Sequence, residues 1–326
     1  MTKPQNIKQI MDIPKVDLRG VEPGVPGWEE ARAAVMASMV AHGCVVVAYD
    51  ALEPALREVL FGRAFPELFQ LPLETKQRNV STRWFRSYIA RAETDYESVC
   101  VHEPTDDGNI HEFTNLFWPQ GNPEFSDIML RYAKNLLQLE QTLQRMTLEG
   151  LGVPEDTIRS HLRSLTHTLR PSHYGVQQDT AGSRRLSMAV HRDFNMSTLV
   201  VQHEVEGLEV QAKDGSWLPI RAEPDTFTFQ AGELFTILTN GRVPASVHRV
   251  RTLSNSERFS MIFGSWSGDG DEVSAMDELV DGEHPLMYNP CRLDEYVDFL
   301  FIEEGRKLDD PLKAFCGVHK GNKSME

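Results

Sequence analysis

The hydrophobic period of the chain changes near residue 165, and that change limits the folds open to it. Upstream, apolar residues recur at three-and-four spacing, the pattern of helices packed by one face. Glu29 to Ala41 is rich in Ala, Met and Val and stops at Gly43, a glycine placed to cap a helix C-terminus. Cys44 to Tyr49 reads as a short buried strand. Glu53 to Phe65 reads as a second helix that Pro66 should end or kink. The clearest helix runs from about Pro123 to Glu149, with Pro123 where an N1 proline is tolerated and Gly150 as its stop. Its apolar stripe fits packing on a sheet better than a partner-binding coiled coil.

Downstream the period falls towards two, and turn signals come every ten residues or so. Thr198 to His203, Gly207 to Gln211, Thr226 to Phe229, Leu234 to Thr239, Ala245 to Arg251 and Arg258 to Gly264 all read as short strands. Asp214-Gly215, Ala231-Gly232, Asn240-Gly241 and Asn255-Ser256 supply turns between them. Many short antiparallel strands imply a sandwich or jelly roll. The tail from Pro290 to Phe315 turns helical again. The expected class is therefore α+β with a mainly β core, a jelly roll framed by N-terminal and C-terminal helices. We divide it into an N-terminal region 1–125, a long helix and connector 126–164, a jelly-roll core 165–270 and a C-terminal helical extension 271–326, all one integrated unit.

Composition removes several function classes. With 33 Lys+Arg against 48 Asp+Glu the net charge is −15, which argues against a nucleic-acid binder. No run of eighteen apolar residues occurs, so no membrane span is expected, and Met1 to Ile10 lacks the apolar core of a secretory signal. The four cysteines, Cys44, Cys100, Cys291 and Cys316, form no CxxC pair. A reducing, cytoplasmic setting is the simplest expectation, and the Asn-x-Ser matches at Asn79, Asn195 and Asn322 are read as chance. GxSxG, GxxxxGK[ST] and GxGxxG are all absent, so hydrolase, P-loop and dinucleotide-binding readings lack their motifs.

One constellation carries chemistry. His191-Arg192-Asp193 lies in the strand-rich half, where residues i and i+2 share a face. His248 lies on another expected strand. Two imidazoles and a carboxylate on one side of a metal make the facial triad of non-haem Fe(II) oxygenases. A surface histidine beside a solvated aspartate is the competing reading. Arg258 and Ser260 follow His248 and share a strand face, offering a rigid fork and a hydroxyl to a carboxylate. An outward, solvated arginine is the alternative there. Arg170, Ser172 and Tyr174 alternate along one strand, and Tyr174 is either a third donor to that carboxylate or a buried structural tyrosine.

The set His191-x-Asp193, His248 and Arg258-x-Ser260 resembles the plant 2-oxoglutarate/Fe(II)-dependent dioxygenases over most of the chain. Ile13-Pro14-Lys15-Val16-Asp17 is similar to that family's opening strand, and Leu71-Pro72-Leu73-Glu74-Thr75-Lys76 to its helix-ending motif. The chain is most like the branch with alkenyl- and hydroxyalkyl-glucosinolate-producing dioxygenases and deoxypodophyllotoxin synthase. Arg78-Asn79-Val80-Ser81, Trp118-Pro119-Gln120-Gly121-Asn122, Val205 to Gln211, Leu279 to Pro285 and Tyr296 to Leu300 carry that likeness.

The resemblance implies a double-stranded β-helix core with Fe(II) on His191, Asp193 and His248. It implies 2-oxoglutarate and dioxygen as co-substrates, Arg258, Ser260 and Tyr174 on the distal carboxylate, and ascorbate as reductant. It assigns no catalytic residue beyond the metal centre. The expected substrate is a small molecule of specialised metabolism or hormone turnover, which is hydroxylated, desaturated, demethylated or ring-closed by a monomeric enzyme. Where many family members carry Asn-Tyr-Tyr-Pro, this chain has Ser172-His173-Tyr174-Gly175, so an Asn contact to the co-substrate is in doubt. For the substrate pocket, strand phase points to Arg170, Gly264 and Trp266. Phe113, in the segment reaching Trp118, either closes the mouth or belongs to the core. Two other readings remain open: a triad oxidase without 2-oxoglutarate, as the ethylene-forming oxidase and isopenicillin synthase share the Arg-x-Ser pair, and a non-catalytic jelly-roll binding protein.

Overall fold

A computed structural model describes residues 12–50, 54–176, 183–302, 305 and 307–318. Met1 to Ile10, the expected helix start at Glu53 and the Asn322 match lie outside the described residues. Strand β1 (Lys15–Asp17) crosses over through α1 (Trp28–His42) to pair in parallel with β2 (Cys44–Ala48). Gly43 ends α1 with φ 63 and returns its N–H to the Met39 carbonyl. A Cβ on Gly43 would meet the Pro244 carbonyl oxygen at 2.0 Å, so both conformation and space require glycine. Next come α2 (Pro54–Val59), a π-turn (Leu60–Ala64) and α3 (Phe65–Phe69). Pro66 does not end this helical stretch. The Phe65 N–H reaches back five residues to Leu60, which opens the backbone where the Pro66 ring would otherwise clash.

Helix α4 (Leu73–Lys76), strands β3 (Ile89–Arg91), β4 (Tyr96–Ser98) and β5 (Val101–His102), and helix α5 (Asp107–Phe117) lead to the long helix α6 (Pro123–Gly150). The Asn122 side chain accepts from the Phe125 N–H to cap α6, and the expected stripe from Phe125 to Met146 is buried. Helix α7 (Glu155–Ser164) precedes the strand-rich half: β6 (Thr166–Tyr174), β7 (Arg184–His191), β8 (Ser197–Gln202), β9 (Leu208–Gln211), β10 (Trp217–Pro219) and β11 (Thr226–Ala231).

Leu234 to Thr239 is not a strand. It forms α8 (Glu233–Leu238), six consecutive buried residues, and the hydroxyl of Thr239, just past its end, donates back to the Phe235 carbonyl. A short apolar run buried all round carries no period that separates helix from strand. Strands β12 (His248–Leu253) and β13 (Arg258–Trp266) follow, then β14 (Glu272–Val273), β15 (Cys291–Arg292), α9 (Leu293–Phe301) and a final helix Pro311–Cys316. The tail is thus helical only after Arg292.

Among the described residues the strands make a nine-stranded sheet, ordered β1-β2-β11-β8-β13-β6-β4-β3 with β5 also on β6, and a four-stranded sheet β10-β9-β12-β7. This is the double-stranded β-helix with flanking helices. The N-terminal region does more than frame it, because β1 and β2 extend the large sheet beyond β11, while β4 and β5 pair with β6. No described helix is long and apolar enough to cross a membrane.

Candidate active site

His191 ends β7 and His248 begins β12, and the two face each other in antiparallel register with ring centroids 4.2 Å apart. Asp193 lies beyond the end of β7, so it does not share a strand face with His191. Two other contacts return it to the pair. The Thr198 hydroxyl donates to Asp193 Oδ2 at 2.7 Å, and the Asp193 carbonyl accepts from the Glu233 N–H at 2.8 Å. Asp193 Oδ1 then sits 3.5 Å from His191 Nε2 and 3.8 Å from His248 Nε2. One ligand atom from each residue lies within 4.8 Å of the others.

The tautomers follow from the backbone. His191 Nδ1 meets the Ala189 carbonyl at 2.8 Å and His248 Nδ1 the Ser246 carbonyl at 3.1 Å. A carbonyl only accepts, so each Nδ1 donates and each Nε2 lone pair faces Asp193. Burial pushes His248 down to about 4 and so keeps it neutral. Burial opposes ionisation of Asp193, but the two facing imidazoles and the Thr198 hydrogen bond hold its carboxyl well below the usual range. Two imidazoles and one carboxylate, each oriented by a further hydrogen bond, fit a divalent iron.

At the other end of the same cavity Arg258 is only 1% exposed. Its Nη1 donates to Ser260 Oγ at 3.1 Å, Nη2 to Gln202 Oε1 at 2.9 Å and Nε to the Val205 carbonyl at 3.2 Å. The guanidinium lies 4.6 Å over the Tyr174 ring, and Arg258 and Tyr174 are direct partners across β13 and β6. A Cβ on Gly207 would come within 2.8 Å of Arg258 Nε, so glycine lets the backbone approach here. No carboxylate of the described residues pairs with this buried cation, a costly arrangement unless an anion meets it. Burial pushes the Tyr174 hydroxyl up, so it stays protonated and able to donate.

The cavity, ≈ 200 Å³, runs between the two sheets and is lined by all of these side chains except Gln202. Gly264 and Trp266 lie in its wall. Trp266 stacks on Phe85 at 4.7 Å, with Phe194 5.8 Å from both rings. Arg170 also reaches the wall, but its guanidinium is committed to Ser98 Oγ at 2.8 Å, the Ser87 carbonyl at 3.2 Å and the Phe85 carbonyl. It therefore anchors the segment that carries Phe85. Phe113 is not brought to the cavity. With Ile110 and Phe117 it forms the buried face of α5 that packs on α6, its ring 5.0 Å from Phe117 and 6.5 Å from Phe125.

The sequence reading missed Thr198, Gln202 and Phe85. The first two were accessible, because Thr198, Val200 and Gln202 alternate along β8 and so share its inward face. Phe85 carries no such signal, since its place is set by Arg170 from a distant strand.

Residues 165–265 match the profile of the 2OG-Fe(II) oxygenase superfamily. The probable 2-oxoglutarate-dependent dioxygenase AOP1.2 of Arabidopsis thaliana is 30% identical over 93% of this chain and 95% of its own. The crystal structure of the dioxygenase for auxin oxidation in rice superposes with a TM-score of 0.81 at 25% identity, over 94% of this chain and 100% of that one. The Arabidopsis thaliana dioxygenase for auxin oxidation 1, in its 2-oxoglutarate binary complex, gives 0.74 at 25% identity, over 84% and 99%.

Proposed function

Since the chain belongs to the 2OG-Fe(II) oxygenase superfamily, we propose that His191, Asp193 and His248 hold Fe(II), and that Arg258, Ser260 and Tyr174 hold the far carboxylate of 2-oxoglutarate. The chain is a 2-oxoglutarate-dependent dioxygenase, related to plant enzymes of which some oxidise auxin. Iron and 2-oxoglutarate, when bound, supply the oxidising power, with succinate and carbon dioxide formed as dioxygen is consumed.

The protein's own part is placement. The Ala189 and Ser246 carbonyls fix the ring orientation of His191 and His248, and Thr198 fixes the Asp193 carboxylate. Arg258 supplies a dry, fixed positive charge, and Ser260 and Tyr174 add hydroxyl donors beside it. Phe85, Phe194 and Trp266 exclude water from the cavity and form a wall for an apolar substrate body. The substrate is a small molecule that is hydroxylated, desaturated, demethylated or ring-closed. We further assign ascorbate as the reductant and a monomeric, cytoplasmic enzyme as the working form.

The observation that carries this reading is a buried, carboxylate-free Arg258 in the same cavity as three converging metal-ligand atoms. Adding 2-oxoglutarate to the iron-loaded protein without oxygen should produce a visible charge-transfer band. Arg258→Gln should raise the 2-oxoglutarate concentration for half-saturation about hundredfold, the scale of a lost charge-assisted pair. Bound iron with no band on adding 2-oxoglutarate contradicts the assignment.

A further inference from the structure

Gln202 ends β8 directly opposite Ser260 of β13, so its side chain shares a face with those of Ser260 and Arg258. It is 4% exposed and does not line the cavity; it stands behind Arg258 instead. Three donors converge on its amide oxygen: Arg258 Nη2 at 2.9 Å and the backbone N–H groups of Gly207 and Leu208, each at 3.0 Å. Its Nε2 donates to the Ile220 carbonyl at 3.0 Å. Two backbone N–H groups at one end and a carbonyl at the other permit only this orientation of the amide. The Gln202 carbonyl in turn accepts from Arg57 Nη2 at 2.8 Å, which ties this end of β8 to α2. Backbone and side chain are thus both held in place.

The chemistry of this acceptor matters as much as its position. A carboxylate is the strong partner for a guanidinium, and a glutamate side chain could accept from the same three donors. The protein places an amide there. The other two acceptors that Arg258 reaches, the Ser260 hydroxyl and the Val205 carbonyl, are neutral as well. The guanidinium is therefore fixed by groups that leave its charge whole. We propose that Gln202 is a positioning residue for 2-oxoglutarate, holding Arg258 through a neutral oxygen so that the far carboxylate of the co-substrate is the anion this cation meets. A glutamate here would supply an anion from within the protein and repel a second carboxylate beside it. This inference rests on the function proposed above.

Two probes separate charge from fold: 2-oxoglutarate, and 2-oxopentanoate, which keeps the 2-oxo acid end but carries a methyl in place of the far carboxylate. Each is titrated without oxygen into the iron-loaded protein, and binding is read from the visible charge-transfer band. The wild type should bind 2-oxoglutarate about hundredfold more tightly, the scale of one charge-assisted pair. Gln202→Glu should bring the two within about threefold by weakening 2-oxoglutarate alone, with 2-oxopentanoate bound as in the wild type. Gln202→Met keeps the length of the side chain and removes the oxygen without adding charge. It should cost 2-oxoglutarate about tenfold and spare 2-oxopentanoate, and it decides the matter should the glutamate variant fail to fold. A wild-type preference that survives in Gln202→Glu, unchanged 2-oxoglutarate affinity in Gln202→Met, or a parallel loss of both probes in either variant overturns the inference. A wild-type protein that binds 2-oxoglutarate no better than 2-oxopentanoate contradicts the proposed function itself.

Discussion

Thr198 shows how much of the metal centre is built by residues that touch no metal. Its hydroxyl, 2.7 Å from Asp193 Oδ2, fixes a carboxylate that no strand holds. Thr198→Val keeps the shape of the side chain and removes the donor. Fe(II) affinity should fall at least about tenfold, as is usual for groups that orient a ligand, and Thr198→Ser should restore it. Anaerobic Fe(II) titration reads this directly, and unchanged affinity in the valine variant would show that Asp193 is positioned by its backbone alone. The triad itself was legible because His191 and Asp193 are two residues apart and cannot separate far, whatever the local conformation. Strand alternation is not what brings them together, since β7 stops at His191. The role of Arg170 was half legible: strand alternation placed it at the wall, but alternation says nothing of the carbonyls of residues 85 and 87 that occupy its guanidinium.

Among the elements, α7 docks on α6 through His161, whose Nε2 lies 2.8 Å from Gln144 Oε1. Burial pushes His161 down to about 4, whereas an imidazole in the unfolded chain titrates near ~6.5. Between those values the unfolded chain binds the proton and the folded chain does not, so stability is lost as pH falls from about 6.5 towards 4. The ring is only partly buried, so the loss is discounted to the order of 2 kcal/mol. His161→Gln removes this titration. The drop in urea midpoint from pH ~7.5 to ~4.5 should be smaller in the variant than in the wild type, and an identical drop would show that His161 titrates normally. Element type was readable wherever a period had room to show itself. The stripe of α6 gave 28 residues of evidence and Gly43 marked the end of α1, whereas the six buried residues of α8 gave none. The π-turn before Pro66 was invisible for a related reason, as the sequence shows the proline but not the backbone that accommodates it.

For the whole molecule, the jelly roll was legible from the spacing of short strands, but its extent was not. Strands β1 and β2 join the large sheet in the order β1-β2-β11, a pairing across more than 170 residues that no local pattern could indicate. The charge of −15 likewise said little about the interior, where a buried cation, Arg258, lines the same cavity as the metal-ligand cluster. That arrangement makes one claim above all: dioxygen is consumed here together with 2-oxoglutarate, at a centre held by His191, Asp193 and His248. Measuring succinate and oxygen in the same reaction, with Fe(II) and 2-oxoglutarate supplied in air, tests it most directly. The account predicts that succinate forms in step with oxygen uptake and that both vanish in His191→Ala and Asp193→Ala. Oxygen uptake without succinate, or turnover that survives loss of either ligand, would contradict it.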